Sequence, residues 1–217
     1  GHGTAVAGSI VDSGNFDWTA DPKRQPLFNE PDASYGGAIW GKVVPELTGA
    51  NIPFAVRARD CLLRDLGSAC SPDNAFAIIQ GLETVALRMK QHCENAEKVV
   101  NYLKKHSEIT KVIYSTEHDK PIADRAKQYL KGGNGPMVGI ELKGGIDAGK
   151  RFIESLKMFY HVANIGDARS LAIHPATTTH SQLNEDELAA SGVTQSYVRL
   201  CIGIEHIDDI IEDLDQA

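Results

Sequence analysis

Hydrophobic and polar positions follow two different patterns along this chain, and the change falls near residue 105. Residues 4–12 are small, apolar and β-branched, which predicts a buried strand. Residues 13–52 are rich in Gly, Pro, Asn and Asp and keep no regular period. They predict a long irregular segment anchored by its two tryptophans, Trp18 and Trp40.

Helical spacing dominates the next part of the chain. Residues 54–66 have the period of a helix that stops at Gly67, and Ser71-Pro72 then provides an N-cap followed by proline at the first helical position. From there to Leu103 the apolar positions recur every three or four residues, with Gly81 as the weak point. This pattern predicts one amphipathic helix of about 35 residues, near 50 Å long, which we expect to join two domains.

After His106 the chain changes to short alternating units. Strands are predicted at 112–114, 137–142, 160–164, 171–174 and 197–202, and helices at 122–131, 148–158, 185–190 and 207–214. The alternation indicates a small sheet with helices on one face.

Charge and composition exclude several functional classes. The net charge is −7, from 22 Lys and Arg against 29 Asp and Glu, which disfavours nucleic acid or an anionic membrane as a partner. No apolar run approaches the roughly 20 residues of a membrane span. The acidic residues near the last helix predict a solvated helix face: Glu205, Asp208, Asp209, Glu212, Asp213 and Asp215. Four cysteines without paired spacing indicate free thiols, and we expect a cytoplasmic protein.

Two segments carry candidate chemistry. In the first, Asn164-Ile-Gly-Asp-Ala-Arg-Ser170 leads into His174-Pro175 and a threonine cluster ending at Thr179-His180. A serine after an arginine is usually a cap or a turn residue, and two histidines six positions apart lack a third ligand at zinc spacing. Two arrangements are open for the next pair of residues. Asp167 and Arg169 form a local ion pair, or Arg169 faces a substrate.

The second segment, Tyr197-Val-Arg199-Leu-Cys-Ile-Gly203-Ile-Glu205, places one arginine in an otherwise apolar strand. Arg199 on an edge strand would face water or pair with a carboxylate of the protein. Alternatively its planar guanidinium binds a substrate carboxylate through two parallel hydrogen bonds, a geometry that lysine does not reproduce.

Together the two segments resemble the carboxyl-terminal signature of the Cys/Met-metabolism family of pyridoxal-phosphate (PLP) enzymes. Gly1-His2-Gly3-Thr4 is similar to the family segment that follows the Schiff-base lysine, which would then lie about four residues before Gly1. The resemblance implies an α/β, aspartate-aminotransferase-like fold (fold type I). Residues 1–105 would be the end of the large PLP-binding domain with its connecting helix, and residues 106–217 the small substrate-binding domain.

The resemblance also implies roles for individual residues. Arg199 would bind the amino-acid α-carboxylate, Ser170 would orient the substrate and the cofactor-linked lysine, and Thr179 would line the pocket. No cofactor-binding residue is assigned within the chain, and no metal is expected. Both ends fall within patterned sequence, so we expect the second half of a longer chain whose amino-terminal segment carries the PLP lysine.

The loop at 167–170 and the long segment at 15–53 favour the sulfhydrylase branch of the family. That branch replaces the acetoxy group on Cγ of O-acetylhomoserine by sulfide or a thiol, giving homocysteine or methionine, and the acetoxy group leaves as acetate. The resemblance further implies a homotetramer acting on small molecules in methionine biosynthesis. The alternatives are a cystathionine γ-synthase or γ-lyase, an inactive fragment, or a non-catalytic α/β binding module.

Overall fold

Five strands form one mixed sheet in the computed structural model, which describes residues 2–217. They are β1 (Ile109–Ile113), β2 (Met137–Leu142), β3 (Tyr160–His161), β4 (Leu171–Ile173) and β5 (Tyr197–Cys201). The order is β1-β2-β5-β4-β3, with antiparallel pairing except between β3 and β4. β5 is therefore the central strand.

The α-helices are distributed along the whole described chain. They are α1 (Pro26–Asn29), α2 (Trp40–Thr48), α3 (Pro53–Arg57), α4 (Pro72–Glu83), α5 (Val85–Leu103), α6 (Lys120–Tyr129), α7 (Gly145–Ser155), α8 (Glu185–Ala190) and α9 (Ile207–Gln216). A π-helical segment, Ala58–Arg64, follows α3 directly. None of the helices in residues 2–217 combines the length and the apolar character that a membrane crossing requires.

The sheet belongs to a compact unit made of residues 2–5 and 77–217. One face of it is fully apolar, because Val138 and Ile140 of β2 lie opposite Leu200 and Val198 of β5 and all four are buried. α5, α7 and α9 supply the rest of this core, including Val99, Phe152 and Ile210. The predicted layer of helices on one face of a small sheet is confirmed.

Residues 6–76 form a second compact unit with its own small core. Phe28, Trp40 and Val44 are its buried members, and the ring of Trp18 lies 4.5 Å from that of Phe28 between centroids. Both tryptophans anchor the segment as predicted. Helix α2 was not predicted, because Gly41 and Pro45 interrupt its helical pattern.

Two sequence-based predictions in this part of the chain are wrong. Residues 4–12 form no strand: Val6 and Val11 are 88% and 90% exposed, and no strand of the described chain pairs with them. Apolar composition predicts a strand only where a partner completes its hydrogen bonds. The single long helix is also divided at Thr84, where Arg88 Nη1 donates to the carbonyl of Gly81 at 3.0 Å. Glycine weakens the helix at this point.

The elements after residue 106 were predicted nearly in full. β2 and α8 have the predicted bounds, and the other strands and helices lie within a few residues of theirs. β3 is shorter than the predicted 160–164 and is limited to Tyr160–His161. From Val162 the chain leaves the sheet to form a loop.

Candidate active site

Arg199 lies on the face of β5 that is turned away from the apolar core. Its neighbours Val198 and Leu200 are fully buried in that core, so the alternation of a strand directs Arg199 to the opposite side. Its cross-strand partners are Gly139 of β2 and Ile173 of β4. Arg199 therefore lies on a central strand, and the alternative of an edge-strand arginine is wrong.

The guanidinium of Arg199 has no protein carboxylate to neutralise it. Among residues 2–217, no ion pair or hydrogen bond of its side chain is formed. A half-buried cation in this state is costly unless a ligand supplies the opposite charge. The arrangement suits a carboxylate brought in from solution.

An open depression of about 320 Å³ surrounds Arg199. Gly139 lies opposite Arg199 in the sheet, and a Cβ at Gly139 would come within 2.6 Å of the Tyr197 ring. The absence of a side chain at Gly139 therefore makes room for that ring. Burial raises the pKa of Tyr197, against the opposing effect of the Arg199 charge. The remaining wall comes from the start of β2 and from the segment before α6, including Ser115 and His118, and no lysine lines the depression.

The loop of residues 164–170, here called the 164–170 loop, packs against β5 at Cys201, two residues after Arg199. The Gly166 backbone N–H donates to Cys201 Sγ at 3.1 Å, and Cys201 shares with Arg199 the same face of β5. Burial raises the pKa of the Cys201 thiol, which this contact partly opposes. The structure thus brings the two sequence segments together, although 33 positions separate Gly166 from Arg199.

Ser170 is fully buried at the end of this loop, and its hydrogen-bonding groups are used within the protein. Its hydroxyl donates to Glu205 Oε2 at 2.9 Å and accepts the Gly203 backbone N–H at 2.9 Å. Its own N–H donates to Glu205 Oε1 at 2.6 Å, and its carbonyl accepts from Tyr160 N–H. A direct contact of this side chain with substrate stays a prediction, and the observed contacts are structural.

Glu205 does not belong to a solvated helix face, which corrects the prediction from the acidic run. It precedes α9 and is half-buried against Ser170. Asp213, from the same run, is also buried, and its carboxylate accepts backbone N–H groups from Lys157, Met158 and Phe159. Charge periodicity does not reveal such partners, because they lie on distant parts of the chain.

Helix α5 supports the chain between β5 and α9. Asn95, fully buried, donates from Nδ2 to the carbonyls of Gly203 at 3.0 Å and Glu205 at 2.9 Å. His92 Nδ1 lies 2.7 Å from the Ile202 carbonyl oxygen, so this nitrogen carries the proton. The helix therefore binds three backbone carbonyls of the segment between β5 and α9, those of Ile202, Gly203 and Glu205.

Arg169 and Asp167 do not pair with each other in the described chain. The Asp167 carboxylate accepts the Arg169 backbone N–H at 3.1 Å, which closes a local turn. The guanidinium of Arg169 stacks on the ring of Tyr160, 4.8 Å from its centroid. Of the two arrangements left open by the sequence, the local ion pair is not formed.

The threonine cluster lies in a turn that follows β4. Thr179 is exposed, and its hydroxyl lies 2.9 Å from His180 Nδ1. Its contact with a substrate stays a prediction. His174 is buried with both ring nitrogens hydrogen-bonded, Nε2 to the Gln195 carbonyl at 2.8 Å and Nδ1 to the Thr177 hydroxyl at 2.9 Å. It packs the sheet against helix α7 at Gly149.

We expect His174 to make folding pH-dependent. Burial lowers the pKa of His174 below its usual 6.5, and the nearby Lys150 and His161 act in the same direction, while the hydrogen bond to Gln195 opposes them. The unfolded chain then binds a proton more readily than the folded one. The contribution of neutral His174 to the free energy of unfolding is fully present above about pH 6.5. It is lost as the pH falls through the lowered pKa of His174, by at most about 1.4 kcal/mol per pH unit.

Urea unfolding at about pH 7.5 and about pH 5.5 measures this effect. A His174→Asn variant should lose part of the difference between the two conditions, whatever its own stability. An exposed-histidine variant, His118→Asn, serves as control. The same pH difference in His174→Asn and wild type would contradict the assignment.

The amino-terminal segment also reaches this region. A Cβ on Gly3 would lie 3.5 Å from Asn164 Nδ2 and 3.7 Å from Asp167 Oδ2, so Gly3 packs directly on the 164–170 loop. The segment that resembles the stretch after the Schiff-base lysine therefore meets the first of the two motifs. Gly1, part of the same resemblance, lies outside the described residues.

Comparison with known proteins identifies the family. The family model for Cys/Met metabolism PLP-dependent enzymes matches residues 1–217. The chain belongs to this family.

Relatives within the Cys/Met-metabolism family carry consistent names. The chain is 48% identical to the O-acetyl-L-homoserine sulfhydrylase of Leptospira meyeri, covering 100% of this chain and 50% of that protein. It is 43% identical to the homocysteine synthase of Schizosaccharomyces pombe, with coverage of 100% and 49%. The chain thus spans about half the length of the curated relatives it matches.

A crystal structure shares the fold. It is that of a putative O-acetylhomoserine (thiol)-lyase from Campylobacter jejuni, which contains N'-pyridoxyl-lysine-5'-monophosphate. The TM-score is 0.78 at 40% identity, and the match covers 89% of this chain and 45% of that one. The predicted α/β fold of type I PLP enzymes is confirmed.

The described residues around Arg199 are suited to binding the substrate of a PLP enzyme. They are not suited to the covalent attachment of the cofactor. Arg199 offers a free guanidinium for a carboxylate, but no lysine lines its depression to bond the cofactor aldehyde.

Proposed function

We propose that the complete protein catalyses γ-replacement on O-acetylhomoserine. Sulfide or a thiol replaces acetate at Cγ, so that O-acetylhomoserine and sulfide give homocysteine and acetate, and methanethiol gives methionine and acetate. The observation that carries this proposal is the unpaired Arg199 guanidinium on the central strand. The sulfhydrylase and homocysteine synthase names of relatives at 42–48% identity support the choice of reaction.

Within this chain, Arg199 acts by binding and orientation. Its guanidinium holds the α-carboxylate of the amino acid through two parallel hydrogen bonds, which fixes the direction of the Cα–H bond. Such positioning lowers a barrier by several kcal/mol when the reacting geometry is held closely. PLP, when bound, supplies the electron sink for this chemistry. Ser170 contributes through the loop that it closes.

The domain arrangement follows the same proposal. Residues 1–105 end the large PLP-binding domain, and residues 106–217 form the small substrate-binding domain. All five strands of the described chain start at or after Ile109, which supports a boundary near residue 105. An amino-terminal segment carrying the lysine and a homotetrameric assembly complete the proposed enzyme. Free cysteines at all four positions support a cytoplasmic location.

Acetate release tests the reaction directly. The full-length protein is incubated with O-acetylhomoserine and sulfide, and acetate and homocysteine are measured together. Equal amounts of both are expected. Breakdown of cystathionine without acetate release would instead identify a γ-lyase, while use of cysteine as the thiol would identify a cystathionine γ-synthase. Absence of any turnover with bound PLP would contradict the proposal.

A further inference from the structure

Glu205 connects the two motifs of the site, although the acidic run around it predicts only a solvated helix face. We propose that Glu205 is a positioning residue that holds the 164–170 loop against the end of β5, the strand that carries Arg199. The proposal rests on the proposed function in that the loop is taken to border the bound amino acid. Glu205 itself is not required to touch substrate.

Both carboxylate oxygens of Glu205 are directed at one residue of the loop. Oε1 accepts the Ser170 N–H at 2.6 Å, and Oε2 accepts the Ser170 hydroxyl at 2.9 Å. Hydrogen bonds to an ionised carboxylate are roughly twice as strong as neutral ones. A two-point attachment of this kind fixes both the position and the direction of the loop end.

The backbone of residues 203–205 is also held by hydrogen bonds. Its backbone carbonyl and that of Gly203 accept from Asn95 on α5, while the Ile204 N–H donates to the Ala168 carbonyl at 2.9 Å. A Cβ at Gly203 would collide with the Glu205 carboxylate and approach the Ser170 nitrogen to 2.5 Å. Only glycine allows this close approach of the two chain segments. Glu205 is therefore held by helix α5 and in turn holds the loop.

The position of the loop relative to Arg199 follows from these contacts. Residues 202–205 continue directly from β5, which carries Arg199, and the loop returns over the same strand to place Gly166 N–H on Cys201 Sγ. The loop is thus attached to β5 at Cys201 and to the segment after β5 at Gly203, Ile204 and Glu205. Loss of the Glu205 carboxylate removes both of its bonds to Ser170 and leaves the bonds at Gly166 and Ala168 in place.

Truncation of the side chain tests the proposal in the full-length holoenzyme. In Glu205→Ala we expect the dissociation constant for L-norvaline, an amino acid without a leaving group, to rise about tenfold, because the loop is displaced. The change in cofactor absorbance on binding reports this constant. KM for O-acetylhomoserine should rise with it, while PLP content stays unchanged. Glu205→Gln keeps one acceptor for Ser170 N–H and should recover part of the affinity.

Glu212→Ala is the matched control, since Glu212 is an exposed glutamate on α9. It should bind norvaline as the wild type does. Hydrogen exchange of the 164–170 peptide should increase in Glu205→Ala and remain unchanged in the control. Norvaline affinity within twofold of wild type in both Glu205 variants would overturn the proposal. If Glu205→Ala does not fold, the norvaline affinity of Glu205→Gln decides alone: a value within twofold of wild type overturns the proposal, and a weaker affinity supports it.

The two proposals fail separately. A wild-type protein that binds norvaline but releases no acetate from O-acetylhomoserine would refute the sulfhydrylase function alone. Norvaline binding and hydrogen exchange would still decide the role of Glu205, because neither measurement requires turnover.

Discussion

Replacing Arg199 by alanine is expected to lower kcat/KM for O-acetylhomoserine by roughly a hundred- to a thousandfold in the full-length enzyme. Removal of the guanidinium deletes the only cation in the depression that is free of a protein partner among the described residues. A loss of this size corresponds to about 3–4 kcal/mol of transition-state stabilisation. Steady-state kinetics with saturating sulfide measures it.

Arg199→Lys separates charge from geometry. Lysine keeps the positive charge but cannot form the planar pair of hydrogen bonds, so most of the loss should persist. PLP content should equal that of wild type, because the proposed role concerns the substrate carboxylate. Arg151→Ala, on the exposed side of α7, is the control and should retain full activity. Kinetics unchanged in Arg199→Ala would refute the assignment.

Replacing Asp213 by alanine is expected to destabilise the fold by about 3–5 kcal/mol. The buried carboxylate accepts the N–H groups of Lys157, Met158 and Phe159 at 2.8–3.1 Å, and alanine leaves all three without an acceptor. A buried donor left unpaired, such as the Phe159 N–H, costs about 1–3 kcal/mol, and the part-buried N–H groups of Lys157 and Met158 cost less. The midpoint of urea unfolding should fall while the slope of the transition remains the same.

Asp213→Asn and Asp209→Asn refine this result. Asparagine at 213 keeps one acceptor oxygen but points an N–H group at a backbone donor, so a smaller loss than with alanine is expected. Asp209 is exposed on the same helix, and its replacement should change the free energy of unfolding by less than about 0.5 kcal/mol. Equal effects at positions 209 and 213 would show that the three N–H groups are satisfied in another way.

The fold after residue 106 could be predicted because its elements are short and strongly patterned. β2 alternates fully, with Val138, Ile140 and Leu142 on one side, and α8 begins with a capping box at Asn184. These signals are local, and each is complete within a few residues. The division of the long helix at Thr84 was missed, since the bond from Arg88 to the Gly81 carbonyl depends on side-chain geometry.

The site could be predicted in part. The apolar strand and the motif around Arg199 predict its role, and in the structure its guanidinium, on the central strand, has no protein partner among the described residues. Ser170 was selected from the same resemblance, yet it is fully buried and bonded to Glu205. Its partner lies 35 residues away, a separation at which neither period nor spacing carries information.

The sequence by itself determined the family, the order of strands and helices after residue 106, and the arginine suited to a carboxylate. These depend on side-chain type and on local periodicity. Only the tertiary structure decided that residues 4–12 form no strand, that Glu205 and Asp213 are bonded to distant segments and not solvated, and that Arg199 has no protein partner. The physical reason is that hydrogen bonds and charges are satisfied between parts of the chain that are brought together by folding.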